Sequence, residues 1–280
     1  MSAAPLKAAT RPPLVDGLFY PARREALAAA VDHLLSSPDT PRSARFAVIS
    51  PHAGLEHAGA VMGAAFRAVA DRPARTAVVM GPVHRDAEQA FYLPESSVFA
   101  TPLGPVQVDE QAVAALAASD ARYRRNDIPH LEEHCLEVQL PFLVRLFPGL
   151  SIVPILVGAG GKSAAETLRR TLGQVFEARL KSTVLIVTAN MASYMAGRDT
   201  DRERAVLEEL LVQRDWRGIL TAAEARRISS CGSTCIAAAL LLAGEGCGVE
   251  VLARGRSQDA DDDPGRTVHY AAVGISQAAQ

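Results

Sequence analysis

Apolar and polar positions follow two rhythms along this chain. Short, nearly unbroken apolar runs recur at residues 46–49, 76–80, 151–156 and 183–188. Runs of this length, bounded by proline or glycine, predict strands buried on both faces, as in a parallel sheet. Between them lie stretches with helical periodicity at residues 23–35, 58–70, 110–118, 163–179 and 202–212. A short helix at 221–227, a very apolar one at 235–243, and strands at 249–254 and 268–275 complete the pattern. Alternating strands and helices predict an α/β fold, a mainly parallel sheet flanked by helices on both faces. Residues 90–108 form short β-like pieces around Pro102-Leu103-Gly104-Pro105 and predict a local excursion near the site. Residues 122–129 read as charged and irregular. No linker or repeat divides the chain, so residues 14–280 are expected to form a single domain behind a flexible arm at 1–13.

Chemistry gathers where the strands stop. The run Phe46-Ala47-Val48-Ile49 ends in Ser50-Pro51-His52-Ala53-Gly54, and Thr76-Ala77-Val78-Val79-Met80 ends in Gly81-Pro82-Val83-His84. Proline stops each strand, and a histidine is left just outside its carboxyl end, where open α/β sheets bind ligands. One such histidine is more often a polar surface residue or a cap. Two at equivalent positions point to a shared site, and histidine is the commonest metal-ligand side chain. A third loop at the same edge, Ala189-Asn190-Met191-Ala192-Ser193-Tyr194, follows the strand at 183–188. Cys231 precedes the apolar helix, where a helix dipole favours the thiolate. A small buried hydrophobe is the competing reading of this cysteine. Cys235 and Cys247 read as core residues. His134, Glu137 and Val138 stand at helical spacing, with Glu133 and His134 expected at a helix start near the histidines.

Composition narrows the function classes. With 49% hydrophobic residues the chain can build a sizeable core. A net charge of −2 argues against a nucleic-acid partner, which needs a basic patch. No run approaches the roughly 18 apolar residues of a membrane span. Residues 1–13 lack the apolar core of a signal peptide, and four cysteines show no disulfide framework, which together imply a cytoplasmic protein. Val157-Gly158-Ala159-Gly160-Gly161-Lys162-Ser163 hints at a phosphate loop, but Leu156 stands where its first glycine belongs. An ordinary strand-to-helix turn is expected there. The acidic stretch 259–263 lacks the spacing of a calcium loop and reads as a solvated turn.

Several of these motifs, in this order, resemble the Memo family, known in bacteria as AmmeMemoRadiSam system protein B. They are Gly17-Leu18-Phe19-Tyr20-Pro21, Pro51-His52-Ala53-Gly54, Gly81-Pro82-Val83-His84, Thr101-Pro102-Leu103-Gly104, Glu133-His134-Cys135-Leu136-Glu137, Leu140-Pro141-Phe142-Leu143 and Cys231-Gly232. The resemblance implies a fold similar to class III extradiol dioxygenases, with a metal pocket lined by His52, His84 and Cys231. Fe(II) or copper is the implied cofactor, a thiolate replacing the dioxygenases' carboxylate and softening the site. Glu133, His134, Glu137, Asn190, Ser193 and Tyr194 are the expected pocket or supporting residues. The chain departs from the family in one loop. An acidic residue, then a histidine three positions on, then an aromatic are usual there, and this chain has Asn190, Ser193 and Tyr194. Serine does not titrate near neutral pH, so it cannot serve as the dioxygenases' acid/base. Two classes of function follow. One is a non-catalytic metal-binding or partner protein, acting with radical SAM and AMMECR-like proteins as the system name implies. The other is a metal-dependent oxidoreductase on a small aromatic or thiol substrate.

Overall fold

The computed structural model describes residues 9–37, 39–85, 88–193, 199–257 and 267–278. In chain order its strands are β1 (Thr10–Arg11), β2 (Ala47–Ser50), β3 (Thr76–Pro82), β4 (Phe91–Leu93), β5 (Val98–Phe99) and β6 (Val106–Val108). They continue with β7 (Tyr123–Arg125), β8 (Ser151–Val157), β9 (Thr183–Thr188), β10 (Gly248–Arg256) and β11 (His269–Ser276). The helices are α1 (Arg24–Leu35), α2 (Leu55–Arg67), α3 (Glu110–Ser119), α4 (Asp127–Glu132) and α5 (Leu140–Leu146). They end with α6 (Lys162–Phe176), α7 (Thr200–Val212), α8 (Trp216–Glu224) and α9 (Ser233–Ala243).

All the described strands join one sheet, ordered β1-β5-β6-β8-β3-β9-β2-β11-β10, with β4 and β7 attached beside β8. Its centre, β8-β3-β9-β2, is parallel throughout. β2, β3 and β9 are buried at every position, which is why their sequences are almost wholly apolar. β11 and β10 close one side antiparallel. Helices flank the sheet as expected. α2 packs on β2, β10 and β11 with α1 and α5 beside it, while α9 packs on β9 with α6 and α8 against it. Because β2, β3 and β9 are parallel neighbours, their carboxyl ends face the same edge. That alone brings the loops after Ser50, Pro82 and Thr188 together.

Several sequence expectations change. Residues 9–13 are tied down, not loose. Thr10 and Arg11 pair with Val98 and Phe99. Arg11 is 2% exposed, with an ion pair to Glu137 that a free arm would not keep. The pieces at 90–108 extend the main sheet, since β4 and β6 both pair with β8. The 122–129 stretch holds β7 and the start of α4, whose first turn is capped by the Asn126 side chain. α2 starts at Leu55 because the Gly54 carbonyl already accepts the His57 and Ala58 amides. α8 starts earlier than expected, where the Asp215 carboxylate caps the Gly218 amide. The acidic stretch 259–263 lies outside the described residues.

Candidate metal centre

His52 follows β2 and is held from three sides. Its main-chain N–H donates to Asn190 Oδ1 at 3.3 Å. Its ring Nδ1 lies 2.8 Å from Thr188 Oγ1, and its Nε2 lies 3.4 Å from Cys231 Sγ. The ring is 2% exposed. His84 follows β3 and is more open. Its main-chain N–H donates to Glu133 Oε1 at 2.5 Å, and its ring Nδ1 lies 2.7 Å from Glu133 Oε2. The carboxylate thus spends both oxygens on one histidine. The two rings meet edge to face with centroids 5.2 Å apart. Cys231 stands at the turn before α9, one residue ahead of the Gly232 cap.

Donor atoms of His52, His84 and Cys231 lie within 4.8 Å of one another. A second group, His84, Glu133 and His134, meets the same limit. In that group Glu133 is already committed to the His84 ring and backbone, so it serves better as an orienting partner than as a ligand. The first group fits a metal chemically. Thr188 and Glu133 occupy both Nδ1 atoms, and both rings hydrogen-bond to the Cys231 sulfur, His52 through its Nε2. This is the arrangement in which outer partners aim histidine ligands.

The electrostatics agree. Burial would push the Cys231 thiol up, but the charge of His52 and hydrogen bonds from His52 and His84 outweigh it and hold the group at about 5. His84 is raised to about 10 by its hydrogen bonds to Cys231 and Glu133. Burial lowers His134 to about 4, helped by the nearby His52 and His84 charges. Glu133 is lowered; burial opposes the shift, and hydrogen bonds from His84 prevail. Burial raises Cys135, Cys235 and Cys247 instead, so Cys231 alone among the four is poised as a thiolate. Cys235 and Cys247 are core residues, as expected.

The other expected residues divide. His134 does reach the site, with its ring 5.6 Å from that of His52 and stacked 5.5 Å from that of His84. Glu133 and His134 lie at the end of α4, not at a helix start, because the backbone turns extended at Glu133. A short 3-10 turn, Glu137–Gln139, then aims Glu137 away from the histidines. Glu137 is fully buried and binds Arg11, the Leu14 and Val15 amides, and the Tyr20 hydroxyl. That is a clamp on the N-terminal segment, not a pocket wall. Asn190 stitches the site together, receiving His52 N–H on its side chain and Ser230 Oγ–H on its carbonyl. The Ser193 main-chain N–H donates to Ser229 Oγ, and that hydroxyl donates to the Ser193 carbonyl. Tyr194 lies outside the described residues. The glycine-rich turn after β8 is tied off, its Gly161 amide donating to Thr234 Oγ1 at 3.0 Å, as suits an ordinary turn.

Sequence reading missed Thr188 and Gln139 and took Phe19 only as an anchor. Phe19 tilts against His134 with centroids 4.8 Å apart and so walls the site. Thr188 could have been suspected from its place as the last residue of β9, level with Ser50 on β2. Gln139 gave no signal in sequence.

Comparison with known proteins matches this picture. A family model for Memo-like proteins matches residues 11–274. A MEMO1 family protein of Aeropyrum pernix is 31% identical, covering 95% of this chain and 99% of the relative. One from Thermotoga maritima is 30% identical, covering 93% and 97%. The crystal structure of uncharacterized protein JW3007 from Escherichia coli K12 superposes with a TM-score of 0.51 at 10% identity, over 81% of this chain and 98% of that one. That last likeness concerns the fold alone. The family match spans every residue of the His52, His84 and Cys231 cluster, and the chain belongs to the Memo-like protein family.

Proposed function

We propose that this protein holds iron or copper between His52, His84 and Cys231, as a non-catalytic metal-binding or partner protein. One observation carries the reading. One donor atom each of His52, His84 and Cys231 lies within 4.8 Å of the others, while both Nδ1 atoms are engaged by Thr188 and Glu133. Two imidazoles and a thiolate make a borderline-soft donor set, suited to both metals. The family resemblance alone supports radical SAM and AMMECR-like proteins as partners, and co-purification with them tests that. Four free thiols fit a reducing compartment, so the cytoplasm is the proposed location. Among the described residues, no helix is long and apolar enough to cross a membrane.

Anaerobic calorimetry on untagged protein, titrated separately with Fe(II) and Cu(I), tests the centre. One equivalent binds, and Cys231→Ser lowers affinity by at least about 10-fold, the loss that even outer partners cause. Cys247→Ser, remote from the cluster, leaves it unchanged. Equal affinity of wild type and Cys231→Ser would sink the three-ligand centre. A second reading, an oxidoreductase on a small aromatic or thiol substrate, draws on His134. That histidine stands neutral at pH 7 beside both rings, where Ser193 supplies no acid/base. Oxygen uptake by the iron-loaded protein with catechols or thiols, abolished in His134→Ala, is its test.

A further inference from the structure

The peptide that joins Pro51 to His52 is held at both of its polar atoms. Its N–H donates to Asn190 Oδ1 at 3.3 Å, and its carbonyl accepts from Gln139 Nε2 at 2.9 Å. A peptide unit is planar, so holding both atoms fixes the plane from which the His52 side chain departs. The proline ring fixes the backbone just before it. Two side-chain amides from separate parts of the chain therefore grip the one peptide that aims His52.

Gln139 closes the 3-10 turn Glu137–Gln139 and is 0% exposed. Its Nε2 has two further acceptors, Thr188 Oγ1 at 3.2 Å and, four residues back, the Cys135 carbonyl at 3.4 Å. The amide can face only one way, since an oxygen in place of Nε2 would meet two carbonyls that have no proton to give. Gln139 Oε1, by contrast, is buried with no hydrogen-bond partner. An unpaired buried acceptor costs stability, and an apolar side chain of similar length would fill the space without it. Filling space therefore does not account for a glutamine here. What an apolar side chain lacks is the donor, and this donor ties together the β2 turn, the end of β9 and the segment just beyond His134.

We propose that Gln139 is a positioning residue of the metal centre, holding the carbonyl side of the Pro51–His52 peptide as Asn190 holds its N–H side. The inference rests on the metal reading of the site. Gln139 acts through the His52 main chain and through Thr188, not on a ligand atom. Releasing the carbonyl lets the peptide plane rotate and carries the His52 ring away from the place where a bound metal needs it.

Anaerobic titration of the full chain with cobalt(II) tests this. The visible bands of cobalt report coordination geometry, and its near-ultraviolet band reports a bound thiolate. Gln139→Met keeps the length of the side chain and removes both N–H groups. Arg72→Met is the control, removing hydrogen bonds to the Leu180 and Thr183 carbonyls at the amino end of β9, opposite the centre. Gln139→Met weakens cobalt binding by about 10-fold or more, the loss that outer partners cause, and moves the visible bands while the thiolate band stays. Arg72→Met keeps wild-type affinity and bands, whatever stability it loses in urea. Gln139→Asn, which retracts the same amide by one carbon, moves the visible bands in the same direction and decides the matter if the methionine variant does not fold. Wild-type affinity and bands in the folded position-139 variants overturn the inference and leave the metal reading intact. Equal losses in Gln139→Met and Arg72→Met trace the effect to general stability and overturn it as well. A wild type that binds no cobalt overturns the metal reading and this inference with it.

Discussion

Cys231 differs from the other three cysteines only in what surrounds it. Cys135 and Cys235 are buried among apolar groups that favour the neutral thiol. Cys231 faces two imidazoles, and their charge and hydrogen bonds overcome the same burial. The consequence for metal uptake has a definite sign. In the metal-free protein Cys231 sits at about 5 and His84 at about 10, so between those values a thiolate faces a protonated ring. Metal must displace the His84 proton. Affinity therefore rises by about tenfold per pH unit in that window, and more steeply below it, where Cys231 must also lose a proton. Calorimetric titration at several pH values inside the window checks this, and a flat profile contradicts it. The two histidines were legible in sequence, because strand-end position and residue type are local facts, whereas Cys231 stayed open against a buried core cysteine and entered the site only through the family resemblance. Thr188 and Gln139 were not, because a threonine at a strand end and a glutamine in a turn look like ordinary residues until the fold sets them against His52.

Among the elements, the segment between α4 and α5 carries most of the organisation. Helical spacing places His134 and Glu137 on adjacent faces of one helix, yet the chain breaks at Glu133 and resumes as a 3-10 turn. The break sends His134 toward the histidines and Glu137 toward Arg11. Arg11 and Glu137 are 2% and 0% exposed, and Arg11 also donates to the His130 and Glu133 carbonyls at 2.6 and 3.0 Å. Removing one partner of such a pair leaves the other charge buried alone. Glu137→Gln should therefore destabilise the protein by about 3–5 kcal/mol, read from urea unfolding. A loss below about 1 kcal/mol, the scale of an exposed pair, would mean that the Arg11 clamp contributes little. Local pattern could not reveal this clamp, since its halves lie 126 positions apart.

The whole molecule adds a dependence on pH that no single motif predicts. His130 is 1% exposed, and its Nε2 faces the Tyr92 carbonyl at 3.2 Å, which takes the N–H of the neutral ring. Burial, reinforced by the Arg11 charge, depresses it to about 3. Its unfolded value is about 6.5, so the unfolded chain takes up a proton that the folded one refuses. The neutral ring's contribution is complete above about 6.5 and is lost as pH falls from there toward 3, by at most about 1.4 kcal/mol per pH unit. His130→Gln retains an N–H donor without titrating. Thermal melts between pH 6.5 and 5 should drop less for that variant than for wild type, and parallel curves would show that His130 does not drive the loss.

What sequence determined by itself was everything that depends on neighbours along the chain. The apolar runs marked β2, β3, β8 and β9, since a strand buried on both faces has to be apolar at nearly every position. Proline and glycine then marked where those strands end, which located His52 and His84. The order of the motifs was enough to indicate the family. Tertiary structure alone decided how loops from separate strands share one edge. Strand order is a matter of which parallel neighbour pairs with which, and β9, written last of the four central strands, lies between β3 and β2. That placement sets Thr188 behind His52 and brings Asn190 against both the His52 and Cys231 turns. The partners that aim the candidate ligands are fixed by contacts across 49, 136 and 138 positions, far beyond the reach of any local periodicity.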